Sequence, residues 1–317
     1  MIQDLLNPVN IRKYIVTAVF VLLAAAMMAA CSKKQEVTEE TELPTETTVE
    51  TTAATPIPSP TPLPVFPKFD YEYKVSAPVI EEAEEGSRTR YVTFYRDGNP
   101  ISGKLTVPEG EGPFKTVIIS SGLYAHLGRY SGKAQRYCDN GYAVIEFFFQ
   151  NGSPPAGYAD PDYLGDFIYE QVLDLYSIID STVFIPVIDR SNIYLYGHSM
   201  GGLVCTYAGV MRQMEIKGLL LVDPSFYAVD RMNFENEETI STNIYPMLAQ
   251  CYIPAVIITG TEGSFGEDPN FFDDARAAFP YCDYVVIDGA DHHMDGDASD
   301  KVVDASIEAM KKWEAGT

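Results

Sequence analysis

Residues 196–202 read YGHSMGG, inside the longer stretch NIYLYGHSMGGLVCTYAGVMR of residues 192–212. Glycines and a serine interrupt sequence that is otherwise apolar. Before them, Ile193–Tyr196 is a run of large apolar and aromatic side chains, as a buried strand requires. After them, Leu203, Val204, Tyr207, Val210 and Met211 fall at helical spacing. A Gly-x-Ser-x-Gly pattern alone is weak, because glycine and serine are common residues. Between a strand and a helix it acquires a physical reason. A tight turn lifts the Ser199 hydroxyl above the sheet edge, and Gly197 and Gly201 let strand and helix approach closely. The helix then begins at Met200, with its free N–H groups facing whatever Ser199 attacks.

Outward from this turn the pattern alternates. RYVTFYRDG and ISGKLTVP form a strand pair around Asp97-Gly98-Asn99-Pro100. TVIISSG (116–122), YAVIEFFF (142–149), KGLLLVD (217–223), PAVIITG (254–260) and DYVVIDG (283–289) are runs apolar enough for strands covered on both faces. Helical spacing is predicted over residues 130–140 and 164–180, and again at Asp273–Phe279 and Ser299–Trp313. Strands alternating with helices imply right-handed βαβ units. The fold class is α/β, a mainly parallel sheet with helices on both faces, and sites in such sheets form at the C-terminal ends of strands. Residues 226–252 break the rhythm and lie where a cap over the cleft is expected.

The first residues follow a different logic. Arg12 and Lys13 precede the apolar run Tyr14–Ala30, which is shorter than the ~20 residues of a membrane span. Met28-Ala29-Ala30-Cys31 resembles the lipobox of bacterial lipoproteins, which implies export, cleavage before Cys31 and a lipid on its thiol. Residues 1–31 are read as that signal, with an uncleaved anchor helix or a simple secretory signal with an incidental Cys31 as the alternatives. Residues 32–65 are Thr, Glu and Pro with almost no large apolar side chain, and are expected to form a disordered tether. Residues 66–317 remain for one domain, outside the cytoplasm and lipid-anchored to the cell membrane. The chain has 45 acidic residues against 22 Lys and Arg, a formal charge of −23. No basic stretch tracks phosphates, so nucleic acid is not an expected partner. Cys138, Cys205, Cys251 and Cys282 show no C-x-x-C spacing, which argues against metal and redox motifs. A disulfide Cys251–Cys282 can form if the strands that follow them are neighbours; four buried thiols are the alternative.

YGHSMGG resembles the nucleophile turn of the α/β-hydrolase superfamily. GNPISGKLTVPEGEGPFKTVIISSG (98–122), CDNGYAVIEF (138–147) and IDGADHHM (287–294) extend the likeness, in order, to serine esterases of the dienelactone hydrolase and feruloyl esterase type. The resemblance implies an α/β-hydrolase fold and ester hydrolysis through an acyl-enzyme, without a cofactor. It also implies Ser199 as nucleophile and His292, after the last strand, as base, with His293 beside it. His126 falls in the loop after TVIISSG, and His198, adjacent to Ser199, should point away from it. The amides of Leu123 and Met200 are the implied oxyanion donors. The acid is open. Relatives place an Asp where this chain has Gly263, so Glu262 is one alternative. Val222-Asp223-Pro224-Ser225 is similar to the Leu-Asp-Pro-Ala of pancreatic-type lipases, and platelet-activating-factor acetylhydrolases share that placement, which favours Asp223. Asp291, His292, His293, Asp295 and Asp297 do not follow the order of a calcium loop, so no metal is expected there. Phe147, Phe148, Phe149 and Tyr158 fall near the expected cleft; alternating positions of the Phe run are read as core, and with Tyr124 these residues hint at an apolar acyl or aromatic pocket. An acyltransferase or a peptidase would use the same parts. A binding module that had kept only the fold is the third alternative. The substrate is expected to be a small-molecule, lipid or glycan ester.

Overall fold

A computed structural model describes residues 72–152, 161–226 and 244–316. The signal at 1–31 with Cys31, the tether at 32–65, Tyr158 and most of the expected cap at 226–252 lie outside the described residues.

Among the described residues, nine strands form one sheet. They are β1 (Val79–Ile80), β2 (Thr89–Arg96), β3 (Asn99–Thr106), β4 (Phe114–Ser120), β5 (Ala143–Phe147), β6 (Ile188–His198), β7 (Ile216–Val222), β8 (Ala255–Gly260) and β9 (Cys282–Ile287). Their order is β1-β2-β3-β5-β4-β6-β7-β8-β9. The first three run antiparallel, and β3 meets β5 antiparallel; every pair from β5 to β9 is parallel. The β2–β3 hairpin closes on Asp97 and Gly98, at φ 53° and 79°, the positive values of a type I′ turn. β1 is a strand that periodicity did not announce, because a two-residue edge segment carries no period.

The helices are α1 (Ser131–Asp139), α2 (Pro161–Ser181), α3 (Met200–Met211), α4 (Tyr245–Leu248), α5 (Asp273–Ala278) and α6 (Asp297–Glu314). The unbroken apolar strands β4 to β8 are explained by two cores, one on each face; β9, expected to be covered on both faces as well, is instead the sheet edge, with Val286 46% exposed. Ile118, Leu195, Leu219 and Leu221 point to the face covered by α2 and α3. Val117, Ile119, Tyr194, Tyr196, Leu220 and Val222 point to the face covered by α1 and α6. Each fully buried aliphatic side chain contributes about 1.5–3 kcal/mol, so both faces hold the register. Phe147 and Phe149 belong to the first core, as expected.

Of the two alternatives for Cys251 and Cys282, the structure shows free thiols rather than a disulfide, although β8 and β9 are neighbours. Each Sγ–H instead approaches a main-chain carbonyl, Ile253 at 3.5 Å and Asp283 at 3.4 Å. Burial pushes both thiols up to about 12, which keeps them protonated and slow to exchange.

Candidate active site

The C-terminal ends of β6, β7 and β9 converge on one point. Ser199 follows β6 and precedes α3, at φ 55° and ψ −122°. A side chain in that region is strained by about 1–3 kcal/mol, and the surroundings must hold it there. Its N–H donates to Val222 O at 3.0 Å, and its carbonyl accepts from Gly202 N at 2.9 Å and Ser225 N at 3.0 Å. The glycines have a measurable reason. A Cβ on Gly201 would lie 2.2 Å from Ser120 O, and one on Gly197 would lie 2.3 Å from Gly201 O.

Ser199 Oγ lies 3.1 Å from His292 Nε2. His292 Nδ1 bonds Asp223 Oδ2. Asp223 directly follows β7 and is fully buried. Its Oδ1 accepts from Thr259 Oγ1 at 2.6 Å and its Oδ2 from Phe265 N at 3.2 Å. The structure therefore brings Ser199, His292 and Asp223 into one hydrogen-bonded line. Glu262 stands apart. It is exposed, in a depression shared with Asp288, Asp291, Asp295 and Asp297. Thr259 and the Phe265 amide were not legible in the sequence, because nothing in a threonine at a strand end marks it as a partner of a distant Asp.

A cleft of about 500 Å³ opens over Ser199, lined by Gly122, Leu123, Tyr124, Tyr130 and all four histidines, among others. Leu123 follows the Gly122 turn, and Met200 is the first residue of α3, so both amides belong to segments that border Ser199. Tyr124 is exposed at the rim. His293 is also exposed, and its N–H donates to Asp291 Oδ1 at 2.9 Å. A larger cavity of about 850 Å³ opens at the opposite strand ends, beside Lys115, Tyr194 and Trp313, and shares none of these groups. Volume does not select the site; convergent chemistry does.

His198 lines the same cleft as Ser199 and lies against the His292 ring, with 5.0 Å between ring centroids, but its hydrogen bonds go elsewhere. It is buried, and burial, then the neighbouring His292, pushes it down to about 4, so the ring is neutral near pH 7. Its Nε2–H donates to His292 O at 2.6 Å, since a carbonyl only accepts. Nδ1 must then accept from Tyr130 Oη at 3.0 Å. Burial pushes Tyr130 up to about 12, so it keeps its proton, and Oη accepts from Gly122 N at 3.3 Å. One oriented chain of hydrogen bonds thus ties the Gly122 turn to the backbone of His292. Lys133, buried on α1, steadies the same loop by donating to Met294 O at 2.9 Å and Ser299 Oγ at 2.8 Å. Neither Tyr130 nor Lys133 carries a sequence signal, because their partners are brought to them by packing alone.

A family profile described as serine aminopeptidase, S33, matches residues 111–254. No curated protein sequence matches the chain. Among solved structures, Est1E from Butyrivibrio proteoclasticus superposes with a TM-score of 0.55 at 16% identity, over 70% of this chain and 99% of its own. An acetyl xylan esterase from Paenibacillus sp. R4 gives 0.56 at 16% identity, over 76% of this chain and 88% of its own. Dienelactone hydrolase from Anabaena variabilis gives 0.52 at 15% identity, over 76% and 99%. The chain has the α/β-hydrolase fold, and the match over residues 111–254 supports a hydrolase built on it.

Proposed function

We propose that the chain is a serine hydrolase that cleaves carboxylic esters through an acyl-enzyme. The single observation that carries this reading is the line from Asp223 through His292 to Ser199 Oγ. With its Nδ1–H held by Asp223, His292 presents the Nε2 lone pair to the Ser199 hydroxyl. Ser199 Oγ attacks the ester carbonyl as its proton passes to Nε2. The oxyanion is met by the amides of Met200 and Leu123. Collapse expels the alcohol, which takes the proton from His292. Water then gives a proton to His292 and attacks the acyl carbon, the carbon–Oγ bond breaks, and His292 returns the proton to Ser199 Oγ. No step needs a cofactor.

The profile over residues 111–254 favours a second reading, cleavage of an amide at the N-terminus of a peptide, because the same parts serve both. A p-nitrophenyl acyl ester and an aminoacyl p-nitroanilide separate the two. The ester reading predicts a kcat/KM at least ~10² higher on the ester panel than on the anilides. Preferential turnover of the anilide would overturn it. An added alcohol acceptor in the same assay reports acyl transfer.

The same proposal places the domain outside the cytoplasm, tethered by residues 32–65 to a lipid on Cys31. Nucleic acid plays no part in it. The support is the segment Arg12–Cys31 itself. Incorporation of labelled fatty acid into the chain, abolished by Cys31→Ser, is the expected result.

A further inference from the structure

Ser199 Oγ has a second hydroxyl against it. Ser225 Oγ lies 3.2 Å away, and Ser225 is only 4% exposed. Its position is set by the main chain. Ser225 N donates to Ser199 O at 3.0 Å, and Pro224 packs so closely on α3 that a Cβ at Gly202 would lie 2.6 Å from the Pro224 Cβ.

The direction of this bond follows from its neighbours. Asp223 Oδ2 accepts a hydrogen bond from His292 Nδ1–H, so the unprotonated Nε2 accepts one from the Ser199 hydroxyl. Ser199 Oγ then has only lone pairs to offer, and Ser225 must be the donor. We propose that Ser225 is a catalytic residue whose hydroxyl donates to Ser199 Oγ and stabilises that oxygen as the leaving group when the acyl-enzyme breaks down. The inference rests on the acyl-enzyme reading given above.

The two half-reactions use this bond differently. Before acylation Ser199 Oγ is a hydroxyl oxygen that already accepts from Ser225, so ground state and transition state both hold the bond and little rate is gained. In the acyl-enzyme Oγ is an ester oxygen, a weak acceptor. Water attacks the acyl carbon with its proton passing to His292, the carbon–Oγ bond breaks, and the bonding electrons collect on Oγ. The Ser225 bond strengthens while that charge develops, until His292 returns the proton to Oγ. Ser225 itself gains and loses no proton. The contribution falls on deacylation, which is differential stabilisation of a transition state.

The lipase motif that Val222–Ser225 resembles, Leu-Asp-Pro-Ala, has a methyl group at this place. Ser225→Ala therefore restores a residue that motif accepts and keeps the bond from residue 225 N to Ser199 O. The test compares the wild-type chain with Ser225→Ala and Ser225→Thr on p-nitrophenyl acetate, whose good leaving group makes acyl-enzyme breakdown the slow step. In Ser225→Ala, kcat and KM are expected to fall together by about 10- to 100-fold, with kcat/KM held and a stoichiometric burst of nitrophenol. Ser225→Thr, which keeps the hydroxyl, should recover kcat. Unchanged kcat in Ser225→Ala would overturn the proposal and leave the hydrolase reading standing. So would a fall in kcat/KM that Ser225→Thr shares. A wild-type chain that neither turns over the ester nor takes a fluorophosphonate on Ser199 would sink both.

Discussion

Asp223 has φ 42°, a value that a side-chain-bearing residue adopts only under constraint, and the constraint is visible. Its N–H donates to Ile258 O at 2.7 Å, extending the β7–β8 ladder by one residue, while its carboxylate turns back to three donors. Two strand ends offered an acid in the sequence, and spacing could not choose between them. The side chain at the rigid end of β7 reaches His292, whereas Glu262 sits in the exposed loop after β8. Asp223→Asn should therefore lower kcat by about 10⁴, and Glu262→Gln should leave it within about twofold. Steady-state kinetics on one ester decide this, and the reverse pattern would assign the acid to Glu262. His198 makes a prediction of another kind. The unfolded chain binds a proton on this residue near pH 6.5, which the folded chain resists until about 4. Stability from His198 is therefore complete above 6.5 and is lost as the pH falls toward 4, by up to about 3 kcal/mol. Denaturant melts of wild type and His198→Asn at pH 7 and 4.5 should show the smaller loss in the variant. Equal losses would remove His198 from the account of acid sensitivity.

At the scale of elements, the strand–turn–helix of β6, Ser199 and α3 was the most legible part of the chain. Its glycines, its apolar strand and its helical spacing all served one geometry, and the close contact of Gly201 with Ser120 O shows why. Gly201→Ala must push α3 away from β4, because the obstacle is backbone and cannot rotate aside. The expected outcome is a destabilisation of about 1–3 kcal/mol with a larger loss of activity, since Ser199 rides on the same turn. A chemical melt and an activity assay on the one variant check both. The polar elements behind the cleft were not legible. Glu146, inside β5, accepts from Gly128 N at 2.7 Å and Tyr130 N at 3.1 Å and so fixes the start of α1. In the sequence it is one acid in an apolar strand, and its partners come from a loop that has no period to read.

For the whole molecule, alternation of strands and helices was enough to give the parallel sheet, because the inner strands β4 to β8 had to be apolar on two faces to separate two cores. What alternation could not give was the chain of small polar contacts across the top of that sheet. Those contacts join residues as far apart as Gly122, His198 and His292, and their geometry exists only once the strand ends have been brought together. The same convergence should make Ser199 reactive, which one step tests. The purified chain, treated with a fluorophosphonate and mapped by peptide mass, should carry a single adduct on Ser199. The adduct should be lost or strongly slowed in His292→Ala, since an unassisted serine hydroxyl is a poor nucleophile at neutral pH. A folded wild-type chain that takes no adduct, or that takes it equally well without His292, would contradict the account.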